Sequence, residues 1–461
     1  IKYYGGRIMK PAQKSEYQRV LISSRELEKA KNYSAAFSGL ERAHILGQRY
    51  LIPHIHTHLL MLRIGFKQRD IREIFGQLLR VFATIPGYIL GWVPKGNTGG
   101  SNVSALKPMP LPDDLVQLLA DYNVWRDVFT RVIIFAMLAL CFFFSLFILD
   151  SRHQSASVAL SQHWSSQRFE PVSIANSTNT LTVTPVVNFF GEPGFATESG
   201  VSYLVKTDKH TILFDLGHNH QEAIVSPLEH NLKRLGVVHT DLDGIFISHF
   251  HRDHIGGRTW EDKNSIGFGF NQPTLENTSI FAPVPFTYPG VEVNVIEEPK
   301  PLLEALASTG PIPRQLVLGR IDEQALVINF KNKGLVVIVG CGHQTLKKLI
   351  AHIEKNFDIP LYGLIGDIHL PLREGRLHIA GIDIQRRLAS GEGLFSPIDK
   401  HDVLDNINLM SQKFNMIALG AHDTSDEALA LVKREFTGEF ITVRVGKQMS
   451  INQSGLLKTG K

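Results

Sequence analysis

The sequence predicts an α+β protein in which a small all-α domain and one transmembrane helix precede a domain of β-strands and helices. Three observations support this fold class: helical periodicity over residues 15–90, an uncharged apolar run over residues 132–149, and four later apolar strands that each end in histidine or aspartate. Hydrophobic residues make up 43% of the 461 residues and charged residues 20%, which is typical of folded protein and excludes disorder throughout. The two cysteines exclude a disulfide scaffold and a cysteine-based zinc finger.

Charge is divided unequally along the chain. Residues 1–111 hold 17 Lys and Arg against 6 Asp and Glu, which gives a formal charge of +11. The remaining residues have a formal charge of −7. Two parts of opposite sign indicate two environments. The overall formal charge is only +4, and no nucleic-acid partner is expected. Because residue 1 is Ile, Met9 is a plausible native start.

Residues 1–131 are predicted to form a basic helical domain. Within residues 72–82, the apolar side chains fall near one stripe of a helix, namely Ile74, Phe75, Leu78, Leu79 and Phe82. Around LERAHILGQRY and VPKGNTGGSNVSALKPMPLP, the chain resembles a small helical family of unknown function. That resemblance covers most of residues 15–120 and implies no chemistry.

Four histidines lie close together in this domain: His44, His54, His56 and His58. Residues four apart share one face of a helix, so His54 and His58 could hold a soft or borderline metal ion. Ordinary surface or packing histidines that hydrogen-bond carbonyl oxygens are the alternative. Binding of an anionic lipid or a protein partner through the basic surface of residues 1–131 is at least as compatible with the sequence.

Residues 132–149 read VIIFAMLALCFFFSLFIL and predict a transmembrane helix. The run has no charge and no proline, and 18 residues are just enough to cross about 30 Å of hydrocarbon. A buried core helix is the alternative, but such helices usually have a polar stripe. Residues 150–180 are rich in Ser, Gln, Asn and Ala and are predicted to be a flexible linker.

The predicted location is the cell membrane, with a single pass. The arginines that flank the apolar run are equal in number on the two sides, so they do not decide the orientation. Basic surfaces are attracted to the anionic cytoplasmic leaflet, which favours a cytoplasmic location for residues 1–131. Residues 150–461 would then lie on the far side, in the periplasm if the cell is Gram-negative.

The C-terminal domain, residues 181–461, has the residues with the clearest chemistry. The strand GIFIS at 244–248 leads into an H-x-H-x-D-H pattern formed by His249, His251, Asp253 and His254. At a strand end, alternate residues can point into one cavity, so two imidazoles can bind one metal ion while the aspartate and the next histidine face a second. Neutral imidazoles and a carboxylate suit Zn, Mn or Fe(II) rather than Ca or Mg.

Three later apolar strands end in similar residues. LVVIVGCGH ends in His343, LYGLIGDIH ends in Asp367 and His369, and NMIALGAH ends in His422. Repeated units of strand, polar residue and helix predict a sheet whose strand ends converge on one edge and are faced by helices. Cys341, two residues before His343, is expected to be a small buried residue.

This arrangement resembles the metallo-β-lactamase fold, an αββα sandwich with a two-metal site at one edge, over about residues 181–450. The segments ALVINFKNKGLVVIVGCGH, GDIHL and GAHDTSDEAL are most similar to the branch named for a dihydropterin-methyl-ribofuranosylaminobenzene-phosphate synthase.

The resemblance implies roles for single residues. One metal ion would be bound by His249, His251 and His343, and the other by Asp253, His254 and His422. Asp367 lies where many superfamily members carry a bridging aspartate, whereas this branch often has Gly there and a histidine two residues later, here His369. Asp215, at the end of an early strand, resembles the aspartate that supports a metal ligand in this fold.

The sequence therefore predicts a membrane-anchored hydrolase with two divalent metal ions, zinc by preference and Mn or Fe as alternatives. A hydroxide that bridges the two ions would attack a small-molecule substrate of the ester, lactone or phosphodiester type. Asp253 would orient the hydroxide and accept its proton. His369, if it is not a ligand, would be a general acid or contact the substrate, or would only support other side chains through hydrogen bonds. Two other functions stay open: a non-catalytic module that binds metal and recruits a membrane or protein partner, and a pterin-type synthase.

Overall fold

The computed structural model describes residues 9–459 except 318, 373–375, 377, 380 and 453–457. The described residues divide between two compact units, an N-terminal unit within residues 1–146 and a C-terminal unit within residues 147–461. The N-terminal unit is helical and the C-terminal unit mixes strands and helices, which confirms the α+β class.

The described residues form eleven α-helices and nineteen β-strands. The helices are α1 Pro11–Lys29, α2 Tyr33–Gly47, α3 Leu51–Gln68, α4 Ile71–Leu90, α5 Val124–Ser166, α6 Pro227–Arg234, α7 Arg258–Asp262, α8 Leu346–Asn356, α9 Ile384–Ala389, α10 Lys400–Lys413 and α11 Asp426–Glu435. The strands are β1 Leu181–Val187, β2 Ser202–Lys206, β3 Thr211–Phe214, β4 Gly244–Phe246, β5 Ser279–Ala282, β6 Val293–Val295, β7 Lys300–Leu303, β8 Leu306–Ser308, β9 Ile312–Leu316, β10 Gly319–Glu323, β11 Leu326–Phe330, β12 Gly334–Val339, β13 Leu361–Gly366, β14 His378–Ile379, β15 Ile382–Asp383, β16 Met416–Leu419, β17 Glu439–Thr442, β18 Met449–Ile451 and β19 Lys458–Thr459.

Helix α4 buries a polar face rather than its apolar stripe. The stripe found in the sequence points outward, since Phe75, Leu79 and Phe82 are 64%, 70% and 74% exposed. The buried side chains of α4 are polar or charged, namely Glu73, Gln77, Arg80 and Thr84. Helix α4 is therefore amphipathic, but its apolar face is left on the surface.

Helix α5 is 43 residues long, which corresponds to about 65 Å at 1.5 Å per residue. By length and composition it could cross a membrane, and none of its most apolar 18-residue stretch is buried. The prediction of a flexible linker over residues 150–180 is wrong in its first half, because α5 continues to Ser166. Residues 150–166 contain neither Gly nor Pro, and Trp164 packs against the core of the C-terminal unit, so the helix is not interrupted there.

Two β-sheets form the centre of the C-terminal unit. The first has the strand order β19-β18-β1-β2-β3-β4-β5-β6 and the second β17-β16-β13-β12-β11-β8-β7. Val183 and Phe246 of the first sheet share a core with Val336 and Ile365 of the second, so the sheets pack face to face. A further core joins the second sheet to α8, α10 and α11, and another joins the first sheet to α6. The layers therefore follow the expected order of helix, sheet, sheet and helix.

Parallel strands bring together the segments that carry the predicted site residues. Strands β3 to β6 are parallel to one another, as are β12, β13, β16 and β17. The carboxyl ends of parallel strands meet at one edge of a sheet. The chain after β4, β12, β13 and β16 carries the predicted site residues, so the topology delivers them to one edge of the sandwich.

Candidate metal centre

The first ligand cluster consists of His249, His251 and His343. One ring nitrogen from each lies within 4.8 Å of the others, and Nε2 of His249 is 3.1 Å from Nδ1 of His251. Two nitrogen ligands of one tetrahedral zinc ion lie about 3.3 Å apart when each Zn–N distance is about 2.0–2.1 Å. Nδ1 of His343 is buried and has no hydrogen-bond partner among the described residues. The donor set and its spacing therefore fit a divalent metal ion.

The second ligand cluster consists of Asp253, His254 and His422, whose ligand atoms also lie within 4.8 Å of one another. Nε2 of His422 is 3.0 Å from Oδ2 of Asp253. The rings of His249 and His254 have centroids only 4.1 Å apart, so the two clusters adjoin. The structure thus brings all six of these predicted residues into one centre.

Asp215 and Ser248 orient two of the imidazoles. Oδ2 of Asp215 is 2.6 Å from Nδ1 of His254 and accepts a hydrogen bond of 2.7 Å from the Ser248 hydroxyl. The hydroxyl oxygen of Ser248 lies 3.0 Å from Nδ1 of His249, from which it can accept. Hydrogen bonding through Nδ1 leaves Nε2 of each ring for a metal ion. This is the supporting position that the sequence resemblance implied for Asp215.

Cys341 and Asp423 also reach the centre. Sγ of Cys341 is buried, as expected, and lies 3.0 Å from Nε2 of His254. Oδ2 of Asp423 is 3.1 Å from Nδ1 of His369 and 3.6 Å from Nε2 of His422. Sequence reasoning missed Asp423 and gave Cys341 only a packing role. The position of Asp423, directly after a strand-end histidine, is the signal that could have found it.

Both carboxylate oxygens of Asp367 accept hydrogen bonds from protein groups. Oδ1 accepts a 2.9 Å bond from the backbone nitrogen of His422, and Oδ2 accepts from the Asn188 amide at 3.1 Å and the Tyr203 hydroxyl at 3.3 Å. Asp367 is fully buried and ties the strand ends of β13 and β16 together. The structure therefore brings it to the edge of the centre, with its oxygens engaged by three donors.

His369 lies beside the first cluster. Its ring centroid is 4.8 Å from that of His343, and its side chain is buried. Together with its contact to Asp423, this position links the two clusters.

The pKa values of the groups in the centre indicate that some side chains are neutral and others are charged. Burial and the neighbouring imidazoles hold the pKa of His249 and of His343 well below the usual value, which favours the neutral form that binds metal. Burial opposes ionisation of Asp253, but the hydrogen bond from His422 and nearby imidazoles outweigh it and hold its pKa well below the usual range. Burial likewise opposes protonation of His422, but the carboxylates of Asp423 and Asp253 raise its pKa to about 10. This part of the centre therefore stabilises positive charge.

Glu323 supports the loop after β12. Its buried carboxylate accepts hydrogen bonds from three consecutive backbone N–H groups, at 3.0, 2.9 and 2.7 Å, of Cys341, Gly342 and His343. Burial raises the pKa of Glu323 to about 7, against the effect of these hydrogen bonds. A Cβ atom on Gly340 would lie 2.2 Å from the hydroxyl oxygen of Ser248, so glycine lets this loop approach the loop after β4.

A cavity of about 970 Å³ opens beside the second cluster. Asp253, His422 and Asp423 contribute to its wall, together with Arg376 and His218. Its volume is within the range of about 300–1,000 Å³ typical of small-molecule sites. The cavity therefore gives a small molecule access to the second cluster.

Two protein-family models match parts of the chain. Residues 11–119 match a family described as a protein of unknown function, DUF3703, which confirms the resemblance found in the N-terminal region. Residues 194–266, which include the H-x-H-x-D-H motif, match a family described as anti-Pycsar protein Apyc1. No curated protein is similar enough to this chain to count as a match.

Solved structures with a similar fold include hydrolases of the metallo-β-lactamase superfamily. Tm1679, a metal-dependent hydrolase of the β-lactamase superfamily, is 18% identical, with a TM-score of 0.41, and the match covers 61% of this chain and 100% of that chain. The metallo-β-lactamase fold protein YhfI from Bacillus subtilis is 15% identical, with a TM-score of 0.36 and coverage of 59% and 99%. Human tRNase Z, short form, is 13% identical, with a TM-score of 0.34 and coverage of 58% and 98%. At these identities and scores the likeness assigns neither a substrate nor site residues.

Proposed function

We propose that the C-terminal unit is a two-metal hydrolase of the metallo-β-lactamase type that acts on a small-molecule ester, lactone or phosphodiester. One observation carries this proposal: two adjoining clusters of buried ligand groups meet at one edge of an αββα sandwich. Buried imidazoles and carboxylates that converge from separate strand ends are typical of metal centres and active sites.

The proposed ligands of one ion are His249, His251 and His343, and those of the other are Asp253, His254 and His422. Asp367 is the weaker further candidate ligand, because both of its carboxylate oxygens already accept hydrogen bonds. Asp423 is the stronger one, because its carboxylate lies near both His369 and His422. Imidazole and carboxylate donors favour zinc, with manganese or iron(II) as alternatives.

Two divalent ions bound there would supply a strong nucleophile at neutral pH, because they lower the pKa of water, and would polarise an oxygen of the substrate. The chain's own groups then have separate tasks. Asp253 is the proposed proton acceptor, since its carboxylate lies on the cavity wall beside the second cluster. His369, whose Nδ1 lies 3.1 Å from Oδ2 of Asp423, is the proposed general acid or substrate contact.

Substrate hydrolysis by the purified full-length protein tests this function. The protein, in detergent, would be assayed against generic aryl esters, lactones and phosphodiesters after chelation and after addition of Zn, Mn or Fe(II). His251→Ala should lower both metal content and turnover, by about 100-fold or more, because it removes a ligand. His401→Ala, at an exposed position on α10, is the matched control and should retain both. A His251→Ala protein with full metal and full activity would overturn the proposal, and a metal-loaded protein without turnover on the panel would favour the non-catalytic alternative.

We further propose that the protein is a single-pass membrane protein, with residues 1–131 in the cytoplasm and the C-terminal unit outside it. The apolar, exposed surface of α5 supports the span. Trp92 and Trp125, with ring centroids 5.3 Å apart, and Tyr88, whose ring lies under the Arg131 guanidinium, are near the start of the apolar run. Aromatic and basic residues of this kind are common at membrane interfaces. The exposed apolar face of α4 lies in the same unit and supports a lipid or protein partner for it.

A further inference from the structure

Three buried histidines of the N-terminal unit meet at one point between α2 and α3. We propose that His44, His54 and His58 bind one divalent metal ion of borderline softness, such as Zn(II), Co(II) or Ni(II), at a site separate from the C-terminal centre. In this site the ion would cross-link α2 to α3.

The three rings are close together and shielded from solvent. His44, His54 and His58 are 2%, 8% and 1% exposed. Their ring centroids are 4.6 to 4.8 Å apart in every pair, and one nitrogen from each ring lies within 4.8 Å of the others. Histidines that only pack against one another would not need three nitrogens at one point, whereas a metal ion does.

Hydrogen bonds to the rings determine which ring nitrogen has a free lone pair for a metal ion. Nδ1 of His44 lies 2.8 Å from the carbonyl oxygen of Asn97, and Nδ1 of His58 lies 2.7 Å from Oε1 of Gln77. Both partners are acceptors, so both Nδ1 atoms carry the proton and both Nε2 atoms have a lone pair. A ring nitrogen of His54 is likewise occupied by the backbone of Gln48.

The two lone pairs then face each other. Nε2 of His44 is 3.2 Å from Nε2 of His58. Two acceptors at this distance repel, unless a proton or a metal ion lies between them. The separation is close to the value of about 3.3 Å for two nitrogen ligands of a tetrahedral zinc ion.

A proton shared between the two Nε2 atoms is less favourable than a metal ion. All three rings are buried, and burial disfavours the charged imidazolium form. The Arg80 guanidinium adds repulsion, but it donates to the carbonyl of Gly100 and lies near the buried carboxylate of Glu73. A metal ion, which binds neutral imidazoles, is therefore the better partner for the two facing lone pairs.

The groups behind the rings are those expected of metal ligands. Gln77 accepts from His58, and its amide nitrogen donates to Oε1 of Glu73 at 2.6 Å and to the carbonyl of Gly99 at 2.8 Å. These two acceptors fix the orientation of the Gln77 amide. The chain from His58 through Gln77 to Glu73 ends in a carboxylate, an arrangement that typically orients metal-binding histidines. It also explains why α4 buries its polar face.

His56 provides a matched control on the same helix. It lies between His54 and His58 in sequence, but its Nδ1 is 3.5 Å from the Tyr17 hydroxyl and it is not one of the three clustered rings. A His56→Gln variant removes a histidine without touching the proposed site.

The experiment uses the full-length protein with the C-terminal centre disabled by His249→Ala and His422→Ala. Metal is removed with a chelator, Co(II) or Zn(II) alone is added, and bound metal per chain is measured together with the visible absorption of Co(II). The proposal expects one ion per chain in this background, with the absorption of tetrahedral, nitrogen-bound Co(II). Adding His44→Gln or His58→Gln should abolish it, and adding His56→Gln should not.

Two results would overturn the proposal: no ion bound in the background variant, or an ion that persists after both His44→Gln and His58→Gln. If circular dichroism shows that the Gln variants lose helix, the test rests on the variant that carries only His249→Ala and His422→Ala. Its N-terminal helices should then unfold at a higher temperature with Zn(II) than without, and an unchanged midpoint would count against the site. Because the C-terminal clusters are disabled, the outcome does not depend on whether the proposed hydrolase function is right.

Discussion

Oε2 of Glu323 accepts a 2.7 Å hydrogen bond from the backbone nitrogen of His343. The other oxygen of the same carboxylate accepts from the two preceding N–H groups, so one buried side chain on β10 holds three consecutive backbone donors. Since that loop carries a candidate ligand, Glu323 positions the centre without being part of either cluster.

Replacing Glu323 with alanine should therefore weaken both the fold and metal binding. Three buried N–H groups would lose their acceptor, and each such loss costs about 1–3 kcal/mol. We expect the free energy of unfolding in denaturant to fall by at least about 3 kcal/mol, and metal affinity to fall about 10–100-fold as His343 shifts. Asp322→Asn, next in sequence and paired with Arg320 on the surface, is the control and should change little. Unchanged stability in Glu323→Ala would refute the role.

Asp423 and Asp367 should respond differently to removal of their charge. Asp423→Asn changes a carboxylate that lies near two imidazoles, so we expect lower metal content and little loss of stability. Asp367→Asn places an NH₂ group against donors of His422, Asn188 or Tyr203, so we expect mainly a lower unfolding free energy, by about 1–3 kcal/mol. Metal content and denaturant unfolding, measured for both variants, show which carboxylate binds metal and which supports the fold. Metal lost only from Asp367→Asn would instead identify Asp367 as the ligand.

The candidate site could be predicted largely from the sequence because its candidate ligands follow strand ends. A residue after a buried strand must lie at the sheet edge, so His249, His254 and His422 could be grouped without knowing the strand order. Glu323 could not be found in this way. Its sequence neighbourhood has no motif, and its role arises only when β10 lies beneath the loop after β12.

The fold, too, could be predicted in part from the sequence. Periodicity located α4, but it reports only that polar and apolar residues lie on opposite faces, not which face is buried. The polar face is inside because Gln77 and Glu73 bond to groups around His58. For α5, composition marked the apolar run, but the helix end depends on tertiary packing of residues such as Trp164.

Asp208 should stabilise the C-terminal unit in a pH-dependent manner. Hydrogen bonds from the Thr180 hydroxyl and from the backbone and amide nitrogens of Asn179 lower its pKa from 3.8 to about 2. A lowered carboxyl pKa means that the folded state favours the ionised form, so the contribution is complete above about pH 4 and is lost as the pH falls towards 2. Because Asp208 is largely exposed, solvent screening limits the contribution to about 1 kcal/mol or less.

Asp208→Asn should accordingly destabilise the protein at pH 7, and its difference from the wild type should shrink between pH 4 and pH 2. Denaturant unfolding across this range is the measurement. Asp262→Asn, at an exposed position on α7, is the control and should give a small difference at every pH. A difference between Asp208→Asn and wild type that grew on acidification would contradict the assigned sign.

Cys141 is a native probe of the proposed membrane span. Its thiol is exposed on the surface of α5, in the middle of the apolar run, and the only other cysteine, Cys341, is buried. A charged maleimide does not enter hydrocarbon, so Cys141 in sealed membrane vesicles should react only after denaturation. Ser151→Cys, on the same helix just beyond the run, should react readily, and only from outside the cell if the C-terminal unit is extracytoplasmic. Rapid labelling of Cys141 in intact vesicles would show that α5 does not cross the bilayer there.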